Sequence, residues 1–167
     1  MNTSLLRTGG DISDSYVKHV DTVYRVALTI LNNVPDAEDA TQTAFIRLMS
    51  SEKAFENDEH MKAWLIVTTR NICRDFLKNW WRVKIVSLDS IEERASPPEV
   101  FESDVWSAIS NLGEKYRLPM YLHYYEGYKT EEIAVILGIN HATIRTRLRS
   151  ARAKLKLILE EGEYAFE

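Results

Sequence analysis

Apolar positions recur along this chain at helical spacing almost throughout. Val20, Val23, Tyr24, Ala27 and Leu31 share one helix face, which predicts a helix over about 15–32. Asn32-Asn33-Val34-Pro35 interrupts it. Asp36 reads as the N-cap of a second helix, with Glu38 and Asp39 near its positive end. Ala37, Ala40, Ala44 and Leu48, with Phe45 beside them, form its inner side, and Ser50-Ser51 ends it. Residues 52–59 read as a polar connector around Phe55. A third helix is expected from His60 to Trp81. No alternation of period two is long enough to suggest a strand.

Beyond residue 82 the pattern lapses. Ser87, Ser96, Pro97 and Pro98 disfavour a continuous helix, and 85–104 carries six acids against Arg94 alone. This reads as an acidic linker over 83–102. Shorter helices are expected near 103–111, 114–125, 130–137 and 141–159, punctuated by Gly113, Gly127 and Gly138. The expected fold is all-α: two small helical domains joined by an acidic linker. The divisions are a flexible N-terminus 1–14, a first domain 15–82, the linker, a second domain 103–159 and a tail 160–167.

The second domain holds the clearest local motif, TEEIAVILGINHATIRTRLRSARAKL over 130–155. Thr130 is placed to cap a short helix, Gly138-Ile139-Asn140 makes a tight turn, and a longer helix follows at once. That is the layout of a helix-turn-helix, whose second helix enters the DNA major groove. On that helix Ile144, Leu148, Ala151, Leu155 and Leu159 share one arc. Arg145, Arg149, Arg152 and Lys156 share the next, followed by Ala142, Thr146 and Ala153. Small residues allow close approach, and guanidinium groups can fork onto guanine. A solvated cationic face is the competing reading.

The helix at 60–81 repeats this logic. Arg70, Asn71, Arg74, Lys78, Trp81 and Arg82 fall on one arc. Leu65, Thr69, Ile72, Cys73, Phe76 and Trp80 fall on another. An aromatic ring among cations suits stacking on an unpaired base. The competing reading packs both tryptophans, one in the core and one under the linker.

Charge sharpens the picture. The 167 residues carry a net charge of −4, which by itself argues against a polyanion partner. Yet residues 70–84 hold five cations and one acid, and 141–156 hold six cations and no acid. Two basic islands sit in an acidic chain, and local field decides binding to nucleic acid. Apolar residues make up 45% and charged residues 28%, ordinary for a globular chain. There is no apolar run of membrane-spanning length and no secretion signal. One cysteine, Cys73, fits a reducing cytoplasm, and its place on the apolar arc suits a buried hydrophobe. His19, His60, His123 and His141 are scattered, so neither a metal site nor a cofactor is expected, and no phosphate-binding glycine loop occurs. Enzyme chemistry therefore finds no support. Tyr121, Tyr124, Tyr125 and Tyr128 read as core and rim.

Five segments together resemble the small extracytoplasmic-function sigma factors of bacterial RNA polymerase. Residues 36–45, DAEDATQTAF, resemble that family's acidic polymerase-binding helix. Trp64-Leu65, Thr69-Arg70-Asn71 and Asp75-Phe76-Leu77 resemble its "WL…ARN…DYLR" helix. Ala108-Ile109-Ser110-Asn111-Leu112 resembles the start of its C-terminal domain. Tyr125-Glu126-Gly127 with Glu131-Glu132-Ile133-Ala134 resembles "EGxSYxEIA", and 143–148 resembles "TVKSRL". The order and spacing match over about 15–82 and 103–158. Departures stand at Thr41, Thr43, Thr68-Thr69, Gly113 and Asn140-His141. The first two are expected to tune polymerase affinity, and the last to alter the promoter sequence read.

The resemblance implies a promoter-specificity subunit, not an enzyme, working in the cytoplasm. Asp36, Glu38, Asp39, Gln42 and Arg47 would face the β′ clamp helices of core polymerase. Arg70, Asn71, Arg74, Lys78, Trp81 and Arg82, with Phe55, Asn57 and His60 of the connector, would handle the −10 element. Arg145, Thr146 and Arg149 would read the −35 duplex, beside Asn140, His141 and Thr143, with Arg147, Arg152 and Lys154 on phosphates. The linker would thread the RNA-exit path. Expected partners are core polymerase (β′ clamp helices and β flap), promoter DNA and an anti-sigma protein. No self-inhibiting extension is expected ahead of the first domain. The alternatives are a sigma mimic that sequesters an anti-sigma protein and a stand-alone helix-turn-helix repressor.

Overall fold

A computed structural model describes residues 9–86 and 104–164, with side chains over 12–82 and 107–161. Seven helices and no strand occur among the described residues: α1 Gly9–Leu31, α2 Val34–Ser50, α3 Asp58–Val86, α4 Asp104–Ser110, α5 Glu114–Tyr124, α6 Thr130–Leu137 and α7 His141–Tyr164. They fall into two compact units, Met1–Ala95 and Ser96–Glu167. The fold is the expected pair of small helical domains.

In the first unit α1, α2 and α3 pack against one another. Val23, Ala27 and Leu31 of α1 are buried as their spacing requires, against Ala37, Ala40, Ala44 and Leu48 of α2 and Leu65, Ile66, Ile72 and Cys73 of α3. Alanines along α2 leave room for helices to approach closely. Two polar departures sit inside this core without unmet hydrogen bonds. Thr41 Oγ1 donates to the Ala37 carbonyl at 2.7 Å and Thr69 Oγ1 to the Leu65 carbonyl at 2.6 Å. Buried Thr41 is therefore a core residue and cannot tune polymerase affinity by contact.

The cap of α2 differs from expectation. Asn33, not Asp36, is the N-cap: its side chain accepts from the Asp36 N–H at 3.0 Å. Pro35 falls in the first turn, where its missing N–H is no loss, so it helps start the helix rather than delay it. Asn32 closes α1 with φ 51, a left-handed conformation asparagine tolerates.

Three helices outrun their periodic patterns. Helix α1 begins at Gly9 inside the segment read as flexible, α3 continues to Val86 past the expected linker start, and α7 continues to Tyr164 through most of the expected tail. Extending a formed helix fixes one residue per hydrogen bond, so it needs no apolar stripe. Residues 1–8, 87–103 (all but the start of the expected linker 83–102) and 165–167 lie outside the described residues.

In the second unit α4, α5 and α6 each pack on α7. Ile109, Leu118, Leu122, Ile133, Leu137, Ile144, Leu148 and Ala151 make the core. Fully buried Tyr121 donates its hydroxyl to Glu126, and its ring stacks on Tyr125. Gly138 caps α6 at φ 63. A Cβ there would meet no atom within 4 Å, so the left-handed backbone, not space, selects glycine. Gly113 takes φ −59 at the start of α5, a value proline shares, so that departure leaves the chain path unchanged.

Candidate nucleic-acid and polymerase interfaces

The turn between α6 and α7 is built as the sequence suggests, with one exchange of roles. Thr130 does not cap α6. The Glu132 carboxylate accepts from the Lys129 N–H at 3.0 Å, and the Thr130 hydroxyl turns instead to His141. Asn140 caps α7, its Oδ1 accepting from the Ala142 N–H at 2.8 Å.

On α7, Ile144, Leu148 and Ala151 point inward while Ala142, Thr143, Arg145, Thr146, Arg149 and Ala153 are exposed. Arg145 and Arg149 thus stand one turn apart on an open face edged by small residues. Thr146 Oγ1 donates to the Ala142 carbonyl at 3.0 Å, leaving its methyl group available to a base. The cations expected on phosphates are differently engaged. Arg152 Nη1 donates to the Tyr124 hydroxyl at 3.2 Å, and Lys154 lies 5.5 Å from the centre of the Tyr116 ring. Arg147 is half-buried. Arg152 and Lys154 leave α7 on opposite flanks of its buried arc, where α5 gives each an aromatic partner.

The second basic face lies on α3. Asn71, Arg74, Lys78, Trp81 and Arg82 are exposed and Arg70 is half-buried. Trp81 is 58% exposed, whereas Trp80 is half-buried against a cleft between α2 and α3. The two rings meet edge to face at 5.0 Å, so Trp80 also props Trp81. A wheel that separates the two residues misses this contact between neighbours.

The connector is divided between support and surface. Phe55 is buried, edge to face with His60 at 5.4 Å and Trp64 at 5.6 Å. It anchors the connector and is withdrawn from the expected DNA-contact set, because a ring inside the domain cannot stack on a base. Asn57 Oδ1 accepts from the His60 N–H at 2.8 Å, which caps the start of α3, and His60 Nδ1 accepts from the Glu56 N–H at 3.2 Å. Below them, buried His19 Nε2 donates to Asp58 Oδ1 at 2.9 Å and Lys18 reaches Asp58 Oδ2 at 3.0 Å, tying α1 to α3. Burial pushes the Asp58 carboxyl up, but hydrogen bonds and charge from Lys18 and His19 outweigh it and hold it below its ordinary value.

The five expected polymerase-contact residues on α2 occupy two places. Glu38, Asp39 and Gln42 lie on an open face that also carries Ile46 and Met49, each 57% exposed. Asp36 and Arg47, with Thr43, turn toward α3 and line a cleft of about 450 Å³ closed by Ile72, Phe76 and Trp80. Ile46 and Met49 are an interface signal that the sequence reading passed over. They share a helical face with Asp39 and Gln42, so that face offers apolar area beside its acid. In the second unit a cavity of about 430 Å³ is lined by Ile109, Met120, Tyr124, Tyr125, Leu155 and Leu159.

Among the described residues no cluster of three His, Cys, Asp or Glu side chains could hold a metal ion, and no helix is long and apolar enough to cross a membrane.

The Sigma-70 region 2 family matches residues 16–83, and the Sigma-70 region 4 family matches residues 103–155. The chain belongs to the sigma-70 family. It is an RNA polymerase sigma factor of the extracytoplasmic-function type. The ECF RNA polymerase sigma factor SigE of Mycolicibacterium smegmatis is 29% identical over 149 residues, which cover 83% of this chain and 58% of that protein. RNA polymerase sigma factor SigV of Bacillus subtilis is 28% identical over 147 residues, covering 87% and 89%. Solved structures share the fold, among them two sigma factors held by anti-sigma partners. RpoE in complex with the anti-sigma factor NepR, from Bartonella quintana, has a TM-score of 0.76 at 22% identity, covering 90% of this sigma factor and 97% of that chain. CnrH in complex with the cytosolic domain of CnrY has a TM-score of 0.65 at 20% identity, covering 92% and 90%.

Proposed function

We propose that this sigma factor binds core RNA polymerase, reads the −10 and −35 elements of a promoter and starts transcription there. The observation that carries the reading is the pair of exposed basic faces, one on α3 around Trp81 and one on α7 of the helix-turn-helix. Each lies inside a matched sigma region. A sequestering mimic needs neither face, and a stand-alone repressor needs only the second.

Arg145, Thr146 and Arg149 read −35 base edges, with Asn140, His141 and Thr143 at the helix start and Arg147 toward the backbone. Arg70, Asn71, Arg74, Lys78 and Arg82 hold the −10 backbone while Trp81 stacks on an unpaired base, with Asn57 and His60 shaping the connector. Glu38, Asp39 and Gln42, with Ile46 and Met49, meet the β′ clamp helices, and Asp36 and Arg47 flank that contact. The apolar cavity between α4, α5 and α7 receives the β flap. An anti-sigma protein is the regulatory partner, in keeping with the RpoE–NepR and CnrH–CnrY complexes. The protein does no covalent chemistry of its own and works in the cytoplasm beside polymerase.

Run-off transcription tests the whole reading. Core polymerase plus the purified chain, given templates with a randomised upstream region, should yield transcripts from a shared −35 and −10 pattern. Transcripts no different from those of core polymerase alone would overturn it.

A further inference from the structure

Arg152 stands two turns beyond Arg145 on α7, about 10 Å further along the helix axis. Recognition helices read bases from their first turns, so base reading leaves this side chain unused. It lies instead at the cavity of about 430 Å³ in the second unit. Ile109, Met120, Leu155 and Leu159 supply the aliphatic lining, and Tyr124 and Tyr125, 52% and 43% exposed, the aromatic rim.

The hydrogen bond at this rim has only one direction. A guanidinium donates and never accepts, so in the 3.2 Å contact between Arg152 Nη1 and the Tyr124 hydroxyl the tyrosine oxygen is the acceptor. The hydroxyl hydrogen of Tyr124 is therefore left to donate. So are the remaining N–H groups of Arg152, which makes no ion pair with the described residues. Glu160, the acid in the lining, lies 3.9 Å from Lys156 instead. Two adjacent donors, one of them a permanent cation, thus border an apolar hollow. An anionic acceptor satisfies both at once, and a guanidinium binds carboxylate and phosphate alike. A DNA strand brings a phosphate but no apolar group for the hollow. A protein segment with an acid beside apolar side chains meets both needs.

We propose that Arg152 and Tyr124 together hold a carboxylate of the protein segment that fills this cavity. Arg152 is then a docking residue and not a DNA phosphate contact. The inference rests on the β flap being that segment, and adds what the flap presents there: an acid next to its apolar side chains. Two substitutions isolate the pair. Tyr124→Phe removes the hydroxyl and keeps the ring in the lining, and Arg152→Ala removes the charge.

The test measures binding of the full chain to core polymerase and to core polymerase lacking the tip of its β flap. Arg152→Ala should weaken binding to intact core about tenfold, the worth of a charge-assisted hydrogen bond, and Tyr124→Phe about threefold. Neither should alter binding to the flap-less core, and both variants should keep the wild-type melting temperature, since both side chains are exposed. Promoter binding by the flap-less holoenzyme is measured alongside at rising salt. If Arg152→Ala weakens it and lowers the salt slope by about one, Arg152 is a phosphate contact and the proposal fails. If flap removal weakens wild-type binding but both variants bind intact core as the wild type does, the flap reading stands and the carboxylate contact is wrong. If the wild type binds both cores equally, the β flap does not fill the cavity and the underlying reading fails.

Discussion

Asp58 shows how much one side chain can organise. It accepts from Lys18 and buried His19 at the point where the connector after α2 meets α3. Its carboxyl is held below the ordinary value, so the folded state binds its proton less readily than the unfolded state. The stabilisation is therefore present above the unfolded value of about 3.9 and is lost as pH falls through the lower folded value. Asp58→Ala should lower stability at pH 7 by about 1 kcal/mol, a modest figure because the side chain is 41% exposed and screened. Urea melts at pH 7 and pH 3 check this: the gap between variant and wild type should shrink at the lower pH. The tryptophan pair divides its work. Trp81→Ala should leave the melting temperature unchanged yet reduce open complex by up to about a hundredfold, the worth of a lost stacked base. A pre-melted promoter should restore it. Trp80→Ala should lower stability by about 1–3 kcal/mol, less than a fully buried ring, and should also slow opening because Trp81 loses its prop. A normal melting temperature for Trp80→Ala with full opening activity would contradict this assignment.

Helices act as units at the next scale. On α2, the acids and the exposed Ile46 and Met49 make one face, so charge and apolar area should both matter to polymerase. Asp39→Lys and Ile46→Glu should each abolish co-purification with core polymerase while leaving the helix content intact, since neither side chain is in the core. Retained co-purification of both at ordinary salt would remove α2 from the interface. On α7, position around the helix decides role. Arg145→Ala or Arg149→Ala should lose about 1–3 kcal/mol on the preferred −35 duplex and relax its sequence preference. Lys154 is engaged with Tyr116 on the flank, so Lys154→Ala should change affinity little and equally for every sequence. Competition binding with matched and scrambled duplexes separates the two behaviours.

The whole molecule is two cores in one chain. Each unit buries its own set of aliphatic side chains, and no described helix is shared between them. Fragments 1–95 and 96–167 should each be helical and melt cooperatively when made alone. The second unit is the more marginal, because three short helices packed on α7 in so small a domain bury little apolar area. Circular dichroism of the fragments is the check: a fragment without a cooperative transition would mean its core is incomplete. Distribution of charge belongs to this scale as well. The acidic remainder of a chain of net −4 should keep loose DNA binding weak despite its two basic faces.

Sequence by itself determined the helical class, the two-domain division, the helix-turn-helix and the basic faces of α3 and α7. Periodicity and charge are carried by each helix alone, and a face can be read from spacing before anything packs on it. Tertiary structure decided what spacing cannot encode. It made Asn33 the cap and Pro35 a helix starter, sank Phe55 and Thr41 out of reach of any partner, and propped Trp81 on Trp80. It also turned Thr130 from a cap into the neighbour of His141 and gave Arg152 and Lys154 aromatic partners on α5. The burials and the contacts of Thr130, Arg152 and Lys154 depend on which donor, acceptor or ring a different stretch of chain brings within about 3–6 Å, whereas the Asn33 cap and the Trp80–Trp81 contact are local geometry that a face pattern does not carry.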